Sequence, residues 1–269
     1  MIWLPGFLSQ GGDGLPPKGK ALNDCTWEEI RLISDAGKAA EYFSFGDRKA
    51  VTLNGTVGSL SLSGTYYCYI IGIDHNSAIE GANRIHFQFG YSALTGGVSL
   101  AFIDSACGAN KYSGSWFNMN NTKVNTGGWK SSLMRNVICP AFKNAMPSDL
   151  QSVLKTVTKF SDNTGGGSDT ASYVTSTSEE VFLLAEYEVL GRRNQANSAE
   201  QNYQAQYAWY SAGNSKEKYR HSATSSKTIW WLRSVCAGYS YAFMRVNNAG
   251  GISNGIAYES NGFSPAFCV

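Results

Sequence analysis

The sequence predicts one α+β domain, with helices toward its start and strands closing its end. Three observations carry that prediction. A helix-starting capping box stands at Thr26-Trp27-Glu28-Glu29, an alternating apolar pattern surrounds Asn54-Gly55, and four short β-branched and aromatic segments follow residue 227. Apolar residues make up 43% of the 269, enough for a sizeable core, while charged residues make up only 16%. With 29 Gly and 15 Tyr, the chain should be rich in loops and strands, with a polar but largely uncharged surface.

Residues 1–24 are punctuated by Gly11-Gly12, Gly14 and Pro16-Pro17, lack periodicity, and read as an arm suited to docking on a partner chain. The domain proper is expected over 25–269. Its first helix starts at the capping box, lines Trp27, Ile30 and Ile33 on one face, and stops at Gly37. Val51-Thr-Leu53, a turn at Asn54-Gly55, and then Val57, Leu60 and Leu62 predict a β-hairpin. Strands continue over Tyr66–Ile73 and Arg84–Phe89. A second helix is expected from about Ser131 to Cys139, ended by Pro140, and a shorter one after Pro147 should bury Leu150 and Leu154.

Ser161 to Ser168 reads as a loop inside the domain. Val181–Leu190 should be a strand, with Glu186 and Glu188 sharing one solvated face by the two-residue period. Residues 192–227 form a polar excursion with one helical turn near Tyr203–Tyr210. Strands then follow at Thr228–Arg233, Tyr241–Val246, Ile252–Tyr258 and Phe263–Val269. In the second of these, Ala242, Met244 and Val246 should face the core.

A net charge of +2 gives no clustered basic face for nucleic acid. The densest cationic stretches, Arg192-Arg193 and Lys216–Arg220, read as solvated loops. The longest strongly apolar run, Val181–Ala185, is too short to span a bilayer, and the opening Met1-Ile-Trp-Leu-Pro-Gly lacks the pattern of a signal peptide. Cys25, Cys68, Cys107, Cys139, Cys236 and Cys268 are widely scattered and have no metal-binding spacing, so buried free thiols are expected.

Catalytic constellations are scarce. The three histidines are His75, His86 and His221; His75 and His86 could face each other across a hairpin, but no third ligand is evident. Asp74, Asn76 and Glu80 offer oxygens for Ca²⁺ only in a scattered way. Gly165-Gly166-Gly167 lacks the Lys-Ser/Thr of a phosphate loop. No catalytic residue, metal or cofactor is expected.

Three segments stand out: Asn125-Thr-Gly-Gly-Trp129-Lys-Ser-Ser-Leu-Met-Arg135, Ile229-Trp-Trp-Leu-Arg-Ser234 and Gly262-Phe-Ser-Pro-Ala-Phe267. With Trp27-Glu-Glu-Ile30 and Phe45-Gly46-Asp47, they resemble an uncharacterised domain family of bacteria and their phages, in order over roughly residues 25–269. The layout and the ending resemble the C-type-lectin fold shared by formylglycine-generating enzymes and by the variable proteins of diversity-generating retroelements. That resemblance implies a small twisted antiparallel sheet, two main helices and long loops forming the outer face. Ser264 stands where the family usually has Arg before Pro-Ala. Cys236 and Cys268 are the only late cysteines, and no charged neighbourhood argues for a reactive pair.

Between residues 236 and 261, Tyr, Ser, Asn, Gly and Ala dominate, the palette of adaptable binding surfaces; the same residues also make good turns. The expected ligand-contacting residues are Tyr239, Ser240, Tyr241, Arg245, Asn247, Asn248, Ser253, Asn254, Tyr258 and Ser260. The functional expectation is a ligand- or receptor-binding protein, of the kind found at a phage or prophage tail-fibre tip, placed on a virion or extracellular surface. Its target would be a cell-surface protein or glycan, its C-terminal face a candidate for retroelement diversification, and residues 1–24 its attachment to a homotrimer or virion partner. The alternatives are a structural virion or cell-surface module and, further off, a formylglycine-generating-type oxidase.

Overall fold

Thr26 caps the first helix as its sequence requires. Its hydroxyl accepts from the Glu29 N–H at 3.1 Å while the Glu29 carboxylate accepts from the Thr26 N–H at 2.7 Å. The helix, α1 (Trp27–Asp35), buries Trp27, Ile30 and Ile33, and the chain turns out at Gly37 with φ 68°. This is a computed structural model, and it describes residues 14–103 and 117–269. Cys107 and residues 1–13 of the predicted arm lie outside them. The later part of that arm rests on the domain: Leu15 and Leu22 are buried, and Asn23 Oδ1 accepts from the Ala50 N–H.

After α2 (Ala39–Tyr42) come β1 (Arg48–Val57) and β2 (Leu60–Ile73), paired antiparallel over their length. The hairpin turn lies at Gly58-Ser59 and not at Asn54-Gly55, which corrects the sequence expectation. Asn54 and Gly55 sit inside β1 opposite Ser63 and Leu62. Gly58, at φ 61°, supplies the positive φ that a two-residue turn needs. Gly55 answers a different demand, because a Cβ there would meet Ala145 Cβ at 2.9 Å.

Next come α3 (Ser77–Glu80), β3 (Ile85–Tyr91), β4 (Leu100–Ala101) and α4 (Gly128–Ser131). The second predicted helix differs in form. A π-helical turn over Met134–Ile138 leads straight into α5 (Cys139–Ala145), so Pro140 begins a helix instead of ending one. Its ring falls in the first turn of α5, where an amide hydrogen is not needed. The Cys139 N–H reaches back five residues to Met134 O, which fits the proline into a continuous helical path. α6 (Ser148–Gln151) buries Leu150, with Leu154 packed against the core.

The remaining elements are β5 (Val157–Asp162), β6 (Val174–Glu179), β7 (Val181–Phe182), α7 (Glu186–Leu190), α8 (Ala208–Ser211), β8 (Lys218–Arg220), β9 (Ala223–Thr228), β10 (Trp230–Val235), β11 (Ala242–Val246), β12 (Ile252–Ile256) and β13 (Ala266–Cys268). The predicted strand over Val181–Leu190 therefore breaks after Phe182, and Glu186 and Glu188 lie on a helix. The Glu188 carboxylate accepts from the Ala185 N–H at 2.9 Å, the glutamate half of a capping box without its Ser/Thr partner. Gly191 at φ 72° ends the helix.

The fold is thus mixed α+β, with strands predominating. A curled antiparallel half-barrel runs in the order β1-β2-β3-β13-β7, beside smaller sheets β10-β11-β12, β4-β8-β9 and β5-β6. Aromatic packing seats α1 and α5 against its inner strands: Trp27 meets Phe87 and Phe267 edge-on at 5.7 and 6.0 Å, and Phe142 meets Phe89 and Phe263 at 5.0 and 5.3 Å. Ala242, Met244 and Val246 are buried as expected, and Phe243 on the other face of β11 is buried too. Among the described residues, all five cysteines are buried free thiols.

Candidate functional site

The C-terminal face is built around the turn that joins β10 to β11. Tyr239 and Ser240 are exposed there, and Tyr241 is half-buried with its ring 5.3 Å from that of Tyr239. The Lys123 ammonium stands 5.4 Å over the Tyr241 ring. Beside them a concavity of about 310 Å³ is lined by Arg193, Asn194, Gln195, Cys236, Gly238 and Tyr239. Gln195 Oε1 accepts from Asn254 Nδ2 at 2.6 Å, which links β12 to this rim.

Each wall is anchored by a buried polar group. Asn125 Nδ2 donates to the Tyr239 and Ala242 carbonyls at 2.8 and 2.9 Å, and its N–H donates to Ser240 O at 2.8 Å. Asn125 Oδ1 accepts from the Gly166 N–H, and a Cβ on Gly167 would meet Ser240 N at 2.8 Å. The opposite wall rests on Glu186. Its fully buried carboxylate accepts from the amides of Asn194, Gln195 and Ala196, at 2.6 to 3.2 Å. Three convergent N–H groups compensate the buried charge and fix the loop that carries Asn194 and Gln195.

Of the ten residues nominated from sequence, Tyr239 lines this concavity, Asn254 bonds to its Gln195, and Ser240 and Tyr241 follow Tyr239 in the same turn. Arg245 pairs with Glu259 and lies against Gly255. Ser253 lies opposite it on β12, with its hydroxyl 3.4 Å from Arg245 Nε. Asn247 closes the β11–β12 turn by accepting from the Ala249 and Gly251 amides, and Asn248 is exposed at its tip. Tyr258 and Ser260 are corrections: they are 5% and 0% exposed, because the chain after β12 dives under the sheet toward β13. Sequence reasoning missed Lys123, Arg193, Asn194, Gln195 and Glu259. Only topology brings residues 123 and 193–195 to this face, so no local pattern marks them.

A second polar cluster lies in the interior. Lys159 Nζ donates to Glu80 Oε2 at 2.5 Å, Tyr207 Oη at 2.8 Å and Glu188 Oε1 at 3.1 Å. Arg233 grips Glu188 with both terminal nitrogens and donates Nε to Ser161 Oγ. Glu186 and Glu188, expected on a solvated face, are instead completely buried. Burial works against the Glu188 carboxylate, but Arg233 and Lys159 outweigh it and hold the group well below the usual range. Burial with incomplete compensation pushes Glu80 up to about 6 and Glu200 up to about 7. His75 stacks on Tyr207 at 3.7 Å and lies 5.5 Å from His86; burial drives it down to about 3.

Ligand atoms of His75, Glu80 and Glu188 lie within 4.8 Å of one another, close enough to hold a metal ion. The Lys159 ammonium already bridges the two carboxylates, however, and Arg233 saturates the second. A divalent ion would have to displace Lys159, so this donor set fits an internal ion-pair network better than a metal centre. Of the loosely nominated oxygen donors, Asp74 accepts from the Arg84 N–H and Asn76 donates to Tyr203 O. Burial raises the Cys236 and Cys268 thiols, and the two lie in different parts of the fold, beside Gln195 and His86 respectively.

The segments singled out from sequence thus build the framework. Asn125 anchors the turn at Tyr239, Trp129 Nε1 donates to Glu179, Arg233 grips Glu188, and Ser264 Oγ donates to Phe89 O. Residues 109–269 match the model of a family described as a domain of unknown function, DUF6273, and that span is more than half of the chain. The chain belongs to the DUF6273 family. No curated protein and no solved structure matches it. The DUF6273 span contains the whole C-terminal face and the Arg233–Glu188 pair, while α1, β1, β2 and β3 precede it.

Proposed function

We propose that the chain is a binding protein that engages a cell-surface glycan or protein through the face around Tyr239, with no chemistry performed there. The observation that carries this reading is the concavity itself. An exposed Tyr, two amide side chains and Arg193 surround about 310 Å³, and buried anchors at Asn125 and Glu186 hold it in shape. Rigid aromatic area beside amides suits the apolar face and the hydroxyls of a sugar or a polar peptide. The reading takes the α+β layout as C-type-lectin-like. Its tail-fibre setting, attachment through residues 1–24 and retroelement diversification rest on the sequence resemblance alone.

The test is binding of the purified protein to candidate host cells and to a glycan array, alongside Tyr239→Ser and Asn254→Ala variants. Saturable binding that these folded variants lose supports the reading. Binding that both variants retain, or no binding by the parent protein, removes this face from the argument and favours a structural module.

A further inference from the structure

Lys218 was expected in a solvated basic loop. It is 1% exposed, at the start of β8, and among the described residues no carboxylate pairs with it. Its Nζ lies 2.8 Å from Ser99 Oγ and 3.2 Å from Tyr69 Oη. The rings of Trp230 and Tyr69 flank it at 5.1 and 5.5 Å. Tyr69 and Tyr210 both donate to Gln88 Oε1, each at 2.6 Å, so the Tyr69 oxygen is left as an acceptor toward the amine and the Ser99 hydroxyl. An ammonium has three N–H groups, and among the described residues two oxygens meet it. In the resting arrangement Nζ donates to both oxygens and the Ser99 hydroxyl bonds Tyr69; once the amine is neutral, its lone pair is free to take the Ser99 proton across the same 2.8 Å.

We propose that Ser99 and Lys218 form a nucleophile–base pair, with Ser99 Oγ accepting an acyl group from a small ester. Ser99 is half-buried and follows the exposed stretch Leu94–Gly97, while the amine it meets is buried. Its backbone is fixed by a bridge to Tyr91 and by the Tyr219 N–H, which donates to Ser99 O at 2.7 Å. In the forward step the hydroxyl proton passes to Lys218 Nζ as the Oγ–acyl carbon bond forms. The bond to the leaving alkoxide then breaks, and that oxygen takes the proton back from Nζ. Water repeats the sequence on the acyl-serine and releases the acid.

Burial alone brings the Lys218 ammonium down to about 7, which makes the base available at neutral pH. The groups facing it are Tyr69 from β2, Trp230 from β10 and Ser99, with Tyr91 and Tyr210 behind Tyr69. Arg48 stacks on the Tyr91 ring at 3.5 Å, one ring further from the amine. This pair is separate from the Tyr239 face and stands or falls apart from it.

The experiment treats the full chain with a fluorophosphonate probe between pH 5 and 9 and locates the adduct by peptide mass spectrometry. The expected result is an adduct on Ser99, absent in Ser99→Ala, whose rate rises about tenfold between pH 6 and 8 as a base of pKa near 7 loses its proton. Lys218→Met should slow it by about 100-fold or more. No Ser99 adduct on the folded parent protein, or a rate flat across that range, overturns the proposal. If Lys218→Met does not fold, the Ser99→Ala control and the pH profile decide.

Discussion

Arg233 and Glu188 face each other as a two-pronged ion pair with both side chains fully buried, and Lys159 closes on the same carboxylate from the other side. Arg233 lies in β10 and Glu188 in α7, so the pair ties the three-stranded sheet under the binding face to the helix whose Glu186 shapes that face. Breaking one partner leaves the other charged and dry. Arg233→Met is expected to cost about 3–5 kcal/mol of folding stability, and Arg233→Met with Glu188→Gln markedly less than the sum of the single changes. Urea unfolding of the four proteins checks it; strict additivity would mean that the two side chains do not depend on each other.

The carboxyl of Glu200 gives a pH dependence of known sign. Burial pushes it from an ordinary 4.5 up to about 7, against donation from Ser234 Oγ and the Asp162 N–H. A carboxyl raised by folding favours the native state when protonated. Its contribution is full below pH 4.5 and is lost as the pH rises toward 7. His75, lowered to about 3, acts oppositely, because its buried neutral ring loses stability as the pH falls below 6.5. Comparing the parent protein with Glu200→Gln isolates the first effect. Their stability difference should shift toward the variant by on the order of 1 kcal/mol per pH unit between about 4.5 and 7. Parallel stability curves over that window would show that Glu200 does not titrate there.

Gly55 lies where β1 packs against α5, with Ala145 Cα only 3.1 Å from the position of a Cβ. Gly55→Val should cost about 1–3 kcal/mol by forcing the helix off the strand. Gly55→Ala combined with Ala145→Gly should cost less than the two separate losses added together, because the second change clears the space that the first fills. Thermal unfolding of the single and double variants measures that coupling. Absence of coupling would place the constraint on the Gly55 backbone and not on the helix contact.

Local chemistry was legible in the sequence, and distant pairing was not. The Thr26 capping box is written in four adjacent residues and forms as read. The four closing strands declare themselves by composition, and their order in the chain fixes most of the β10-β11-β12 sheet. Asn54-Gly55 misled because a glycine that admits a neighbouring helix looks the same as a glycine that makes a turn. Glu186 and Glu188 misled more deeply. Lys159 and Arg233 lie 29 and 45 residues from Glu188, and the amides that hold Glu186 are backbone groups that any sequence offers, so no residue pattern distinguishes a buried carboxylate from a solvated one. Lys218 failed for the same reason, and the lining residues Arg193, Asn194 and Gln195 were hidden in a polar excursion with no periodicity.

Tyr239 and Tyr258 separate binding from folding on the candidate face. They share a residue type and a nomination from sequence, but Tyr239 is 45% exposed and Tyr258 only 5%. Tyr239→Ser removes surface that touches little of the core and should change stability by no more than about 0.5 kcal/mol. Tyr258→Ser empties a packed position and should cost about 2–4 kcal/mol. Urea unfolding, run beside the cell-binding assay at a temperature where both variants stay folded, checks the contrast. Tyr239→Ser should lose binding while keeping its unfolding midpoint, and Tyr258→Ser should shift the midpoint while keeping binding in its folded fraction. The reverse pattern would move the ligand-contacting surface to the side of the sheet where Tyr258 packs, and the concavity beside Gln195 would then be ordinary surface.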